Sequence, residues 1–179
     1  MNLSAGAELA VKINKDIAKR IGIKPAARVT TTKPDGTSSI VLGSASGIHA
    51  WYNDYYIRRI RVSKNEAIYQ YLEENNPALV EDDFFKPATE AIICVPVKAP
   101  EGSVTRKESP IDLLERVKKV YNEWIKPGHI NGSNTHNVSV TVSVKPEEWE
   151  IVKDWMWKNK ESYAGISLLP YFEIGRAHV

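Results

Sequence analysis

Residues 138–144 read Val-Ser-Val-Thr-Val-Ser-Val, a strict alternation with a period of two. Successive strand side chains point to opposite faces, so the valines share one face and Ser139, Thr141 and Ser143 the other. That pattern predicts a strand and leaves two settings for it. In a half-exposed antiparallel sheet it is an ordinary amphipathic strand. In a barrel, the valines pack under helices and the small hydroxyl face lines an interior that admits something polar.

The segments around it alternate between strand and helix signals. Residues 4–21 form a helix, with Leu9, Ile13 and Ile17 at four-residue spacing on a packing face and Gly22 and Pro25 ending it. Residues 28–33 and 55–62 read as strands, and 65–74 as a helix with Ala67, Ile68, Tyr71 and Leu72 as its apolar face. Residues 90–97 are a third strand, in which Pro96, lacking an N–H, argues for an edge or an end. Residues 111–125 are the clearest helix, with Leu114, Val117, Tyr121 and Trp124 in register. Pro146 sits in the first turn of the next helix, whose stripe is Trp149, Val152 and Trp155 with Met156, and 165–169 is the last strand. Strands alternating with helices over connections long enough for crossovers predict an α/β fold with parallel strands.

The strand at 28–33 runs into Pro34-Asp-Gly36. Pro presets φ, Asp bonds nearby backbone, and Gly accepts φ > 0. Thr37, Ser38 and Ser39 then offer hydroxyls to the start of a short apolar helix, 40–42, that stops at Gly43. The first N–H groups of a helix have no internal partner and favour an anion, so Gly36, Thr37, Ser38 and Ser39 are a candidate phosphate cradle. From geometry alone an ordinary turn is the better reading, since anion sites are a minority use of helix N-termini. The following loop, 45–53, carries Gly47, His49 and Trp51.

Other residues suggest less chemistry. Cys94 lies among Ile92, Ile93, Val95 and Val97 and reads as a small buried hydrophobe, since no cationic partner is near. The triplet Glu81-Asp82-Asp83 reads as a solvated loop, and no further ligands converge to make it a metal site. Arg58, Arg59 and Arg61 read as solvated or paired with Glu66, Glu73 and Glu74. His129 and His136 lack a third ligand at metal spacing, so no metal site is expected.

The chain has 179 residues, enough for one domain with a core. Its 24 basic and 22 acidic residues give a net charge of +2, without the basic stripe a nucleic-acid partner demands. No membrane span or signal peptide is apparent, and the single cysteine fits a reducing cytoplasm.

Several linked motifs resemble the adenosylcobalamin-dependent (class II) ribonucleotide reductases. They are Lys33-Pro-Asp-Gly-Thr-Ser-Ser39, Ser46-Gly-Ile-His49, Tyr55-Tyr-Ile-Arg-Arg59, Thr135-His-Asn-Val-Ser139, Lys145-Pro-Glu-Glu-Trp149 and Tyr163-Ala-Gly-Ile-Ser-Leu-Leu-Pro-Tyr171. Asp35 stands where that family usually has Ser, which puts a carboxylate beside the cradle. The resemblance implies part of a ten-stranded α/β barrel over residues 1–172 and a substrate-phosphate role for Gly36, Thr37, Ser38 and Ser39. It also places His49 at the active-site mouth. For the parent protein it implies ribonucleoside di- or triphosphate reduction, triphosphate favoured, by a thiyl radical raised with adenosylcobalamin. The implied partners are the ribonucleotide, the rest of the barrel and a dithiol reductant such as thioredoxin. The alternatives are a stand-alone nucleotide- or phosphate-binding module and a structural α/β domain.

The same resemblance implies an incomplete piece of that enzyme. The family's Asn-x-Cys-x-Glu finger loop and its cysteine pair have no counterpart here, so no catalytic residue is assigned. Leu168-Leu-Pro-Tyr171 also lacks the adjacent tyrosines of class I relatives. The last residues, 173–179, match one reading frame of a common sequencing adapter and are expected to be a non-native tail.

Overall fold

The computed structural model describes residues 2–171. They fall into two compact units, one of 2–50 with 106–171 and one of 51–105. The expected boundary at 172 and the adapter-like tail lie outside the described residues.

The first unit opens with α1 (Leu3–Ile21). The Asn2 side chain accepts the Ala5 N–H at its start, and Gly22 closes it in the left-handed conformation, φ 75°. The helix buries only Ala7 and Ala18. It packs on residues 121–125 through small residues: a Cβ added to Gly6 would lie 3.4 Å from the Trp124 ring. Leu9, Ile13 and Ile17, the expected packing face, are 56, 51 and 44 % exposed. The periodicity marks a helix, but the contact is made by the face where glycine and alanine allow close approach.

The core of this unit forms between two helices and the valines of 138–144. Helix α4 (Pro110–Val120) is started by a capping box in which the Ser109 hydroxyl accepts the Asp112 N–H and the Asp112 carboxylate accepts the Ser109 N–H. It buries Leu113, Leu114 and Val117, then continues as one π-helical turn, Tyr121–Ile125. Val138, Val140, Val142 and Val144 are all buried against it. Helix α5 (Trp149–Lys158), entered through a 3-10 turn at Pro146–Glu148, adds Val152 and Trp155. Trp149 remains 37 % exposed, outside the stripe expected of it.

Strand β4 (Thr141–Val144) pairs in parallel with β5 (Ser167–Pro170), with α5 between them in the chain. The expected crossover is present there. The alternation at 138–140 continues without a regular ladder. Val138 bridges Thr32 in parallel, and the Ser139 N–H donates to the Thr32 carbonyl at 3.1 Å.

Residues 28–33 are extended but not a strand, which corrects the sequence reading. Their backbone groups are met by loops and side chains instead of a neighbouring ladder. The Val29 N–H donates to the Gly128 carbonyl. Trp124 Nε1 caps the Thr31 carbonyl at 3.1 Å and His136 Nδ1 the Thr30 carbonyl at 2.9 Å. The buried Thr30 hydroxyl donates to the Trp124 carbonyl. Gly128 is needed for this approach, because a Cβ there would lie 1.8 Å from Thr30 Oγ1.

The second unit is antiparallel, against the parallel expectation. β1 (Tyr55–Ser63), β2 (Val80–Asp82) and β3 (Glu90–Lys98) form a sheet in the order β1-β3-β2. Helix α3 (Ala67–Asn75) leads not to a parallel partner but to the short β2, which a turn at 83–86 folds back onto β3. Asp83 fixes that turn by accepting the Phe85 and Lys86 N–H groups, each at 2.9 Å. β3 is central, yet Pro96 lies beyond the stretch β2 reaches, so one side of it is locally an edge. In α3 the buried residue is Tyr69; Ile68 and Tyr71 are exposed.

Of the acidic triplet, Glu81 and Asp82 are exposed as expected but lie on β2, while Asp83, just after it, is buried. Glu81, Asp82 and Asp83 take Arg59, Lys64 and Arg61 in turn, and Glu90 shares Arg61. Arg59 and Arg61 thus pair with Glu81, Asp83 and Glu90 in place of the expected Glu66, Glu73 and Glu74. Cys94 is half-buried and its thiol meets a Glu81 carboxylate oxygen at 3.4 Å.

The described residues hold five strands in two separate sheets, so they show α/β character without a closed barrel. No helix among them is long and apolar enough to cross a membrane.

Candidate phosphate-binding turn

The turn of interest leaves the carboxyl end of the extended segment 28–33, beside residues 138–141. Lys33 marks the exit: its ammonium donates to the Ser139 hydroxyl at 2.9 Å. The next residues wrap around Asp35. Its Oδ1 accepts the Thr37 N–H at 2.7 Å and the Ser39 N–H at 3.4 Å. Its Oδ2 accepts the Ser38 hydroxyl, and its carbonyl accepts the Ser39 hydroxyl. Three donors of the stretch, the Thr37 and Ser39 N–H groups and the Ser38 hydroxyl, thus meet at a carboxylate of the chain itself.

The short helix α2 (Ser38–Val41) follows. Thr37 stands at its N-cap but makes no side-chain cap bond; Asp35, two residues earlier, caps it instead. Gly36 does not take a positive φ. The left-handed glycines of this region are Gly43 and Gly47, both at φ 61°. Gly47 is also sterically constrained, because a Cβ there would lie 3.0 Å from the Lys33 carbonyl oxygen. Ser39 is buried, while Thr37 and Ser38 are exposed.

The electrostatics follow from the contacts. The Ser38 hydroxyl, then the Thr37 N–H, hold the Asp35 carboxyl below its ordinary value. Asp35 is ionised at neutral pH and completes the turn as an internal anion.

His49 sits on the loop that backs the turn. Its Nε2 accepts the Thr141 N–H at 3.1 Å, which fixes the proton on Nδ1, and Nδ1 donates to the Ser46 carbonyl at 3.0 Å. The Ser46 hydroxyl accepts the Asp35 N–H at 2.8 Å. Arg116 of α4 donates to the Ile48 carbonyl at 3.0 Å while paired with Glu108. Sequence reasoning missed Ser46 and Arg116. Ser46 opens the Ser-Gly-Ile-His motif and was thus within reach; Arg116 carries no local signal.

The other histidines are held by loop carbonyls. His136 caps the Thr30 carbonyl, and His129 Nε2 contacts the Gly132 carbonyl at 2.8 Å. No cluster of three or more potential metal ligands occurs among the described residues. Burial, then the Glu81 contact, pushes the Cys94 thiol up, away from thiolate chemistry.

The chain is 28 % identical over 163 residues to an adenosylcobalamin-dependent ribonucleoside-triphosphate reductase of Levilactobacillus brevis, covering 90 % of this chain and 21 % of that protein. It is 26 % identical over 174 residues to a probable enzyme of the same name from Dictyostelium discoideum, covering 92 % and 21 %. The Euglena gracilis counterpart is 25 % identical over 177 residues, covering 97 % and 23 %. A crystal structure of B12-dependent (class II) ribonucleotide reductase shares the fold, with a TM-score of 0.75 at 22 % identity over 97 % of this chain and 23 % of that one. No family model matches. The chain spans about a fifth of the length of the curated relatives it matches. The resemblance read from the motifs is thus one of sequence across most of the chain and of fold.

Proposed function

We propose that this chain supplies the substrate-phosphate turn of an adenosylcobalamin-dependent ribonucleotide reductase. Gly36, Thr37, Ser38 and Ser39 are its binding residues, and a ribonucleoside triphosphate is the favoured substrate. One observation carries the reading: backbone N–H groups of Thr37 and Ser39 and the Ser38 hydroxyl already converge on an anion, the Asp35 carboxylate. A phosphate oxygen has the same hydrogen-bonding needs and takes these donors when Asp35 turns outward. The turn also lies at the carboxyl end of an extended segment next to parallel strands, where α/β sheets bind ligands.

The residues of this stretch do not fit the cofactor. Both ring nitrogens of His49 are taken up by the protein, the other described histidines sit on loop carbonyls with no further ligand cluster beside them, and the Cys94 thiol is pushed up by burial and the Glu81 carboxylate. Adenosylcobalamin, the radical step and the dithiol reductant, such as thioredoxin, therefore belong in this reading to the complete enzyme. The role here is to anchor the substrate away from its reacting ribose, so misplacement costs turnover as well as affinity.

The test is a chimera in which this chain replaces the matching segment of the Levilactobacillus brevis reductase. Ser38→Ala is expected to weaken nucleotide binding by about 1–3 kcal/mol, and Gly36→Val to weaken it by blocking close approach. If both variants leave affinity and turnover unchanged, the stretch is a structural turn. If the 179-residue chain alone binds nucleotide but the chimera has no activity, a stand-alone binding module is the better reading.

A further inference from the structure

The entry of the turn is tied to Ser139 by the Thr32 carbonyl and the Lys33 ammonium. A second tie is a line of hydrogen bonds running from β4 through the Thr141 N–H to His49 Nε2, from His49 Nδ1 to the Ser46 carbonyl, and from the Ser46 hydroxyl to the Asp35 N–H. The line ends on the residue whose carboxylate gathers the Thr37 and Ser39 N–H groups. Both ring nitrogens of His49 are used, so the imidazole has no proton-transfer capacity left in this state. Gly47, between the two anchors, lets the loop press against the Lys33 carbonyl.

We infer that His49 and Ser46 are positioning residues that set the anion-binding turn in register with β4. Neither is expected to touch the ligand. Their functional consequence rests on the phosphate reading above; their structural role does not.

Two measurements on the 179-residue chain separate these. The first is amide hydrogen exchange. In His49→Ala, the Thr141 amide and those of Asp35, Thr37 and Ser39 are expected to exchange about three- to tenfold faster, the effect of losing one hydrogen bond in a locally opening segment. In His49→Gln the side-chain oxygen reaches the Nε2 position, so Thr141 regains protection and the turn follows. In Ser46→Ala, Asp35 exchanges faster while Thr141 is unchanged. Unchanged exchange at Asp35, Thr37 and Ser39 in both His49→Ala and Ser46→Ala overturns the inference. Should His49→Ala fail to fold, Ser46→Ala, which removes a single hydroxyl, decides it.

The second measurement is affinity for inorganic tripolyphosphate. It is expected to fall about three- to tenfold in His49→Ala and Ser46→Ala, by the same lost bond, and to recover in His49→Gln. Equal affinity in every variant overturns the functional half. If the unaltered chain binds no tripolyphosphate, it is the phosphate reading that fails, and the exchange data still decide the positioning role.

Discussion

Asp35 both completes the turn and competes for it. Its carboxyl is held below the ordinary value by the Ser38 hydroxyl and the Thr37 N–H. A depressed carboxylate stabilises the fold above its unfolded-state value of about 3.9, and that contribution is lost as pH falls through the lower folded value. The Thr37 and Ser39 amides should accordingly stay protected at pH 5 and above, and lose protection at the acid end. An NMR titration of the Asp35 carboxyl carbon checks this, and a midpoint at or above the unfolded value would contradict it. At neutral pH the same charge opposes an incoming phosphate. Two unit charges about 4 Å apart in water repel by about 1 kcal/mol, so Asp35→Ser is expected to tighten tripolyphosphate binding by about five- to tenfold. Weaker binding in that variant would mean that Asp35 organises the site more than it blocks it. The side-chain-to-backbone bonding of Asp35 was legible in Pro-Asp-Gly, because that chemistry is local. The inward direction of the carboxylate was not, because it depends on where Ser38 and Ser39 turn next. The same limit applies to Gly36, where a favourable residue for positive φ sits at a position that does not need it.

Elements that bury a regular face were legible, and those held by side chains were not. The valines of 138–144, with a two-residue period, and the apolar positions of α4, with a three-to-four-residue period, mark the faces that meet in the core. Leu114→Ala is therefore expected to cost about 2–5 kcal/mol of stability, the usual range for a fully buried leucine. Residues 28–33 read as a strand from their composition, but Trp124, His136 and Gly128, a hundred residues on, take over the ladder's work. α1 misleads in the opposite sense. Its isoleucines show a helical period, but the buried face carries Ala7 and Ala18. Ile13→Lys should change thermal stability by less than about 0.5 kcal/mol, while reducing binding of an apolar dye to the Leu9–Ile13–Ile17–Ile21 stripe. A loss as large as that of Leu114→Ala would show that the stripe is covered in solution. The pairing of the acidic triplet was not legible, because Arg59 and Arg61 on β1 and Lys64 just beyond it stand 18 to 22 residues away, at separations no local pattern reports.

At the scale of the whole chain, the two units divide the chemistry unevenly. The turn, its anchors and the parallel pair lie in 2–50 with 106–171, while the one cysteine lies in 51–105. Reduction of a ribonucleotide by thiols transfers two electrons and closes a disulfide, so it needs two sulfur atoms within bonding reach of each other. This chain has one, Cys94, and burial together with the Glu81 carboxylate raises its pKa. Phosphate binding and turnover should therefore separate. The 179-residue chain is expected to bind tripolyphosphate and to yield no deoxynucleotide when supplied with adenosylcobalamin, a ribonucleoside triphosphate and dithiothreitol. Product analysis by chromatography decides the matter. The chimera with the Levilactobacillus brevis reductase is the positive control, and Cys94→Ser in it should leave turnover unchanged. Deoxynucleotide formed by the 179-residue chain alone, or a chimera inactivated by Cys94→Ser, would place reductive chemistry in this stretch and overturn its assignment as a binding element.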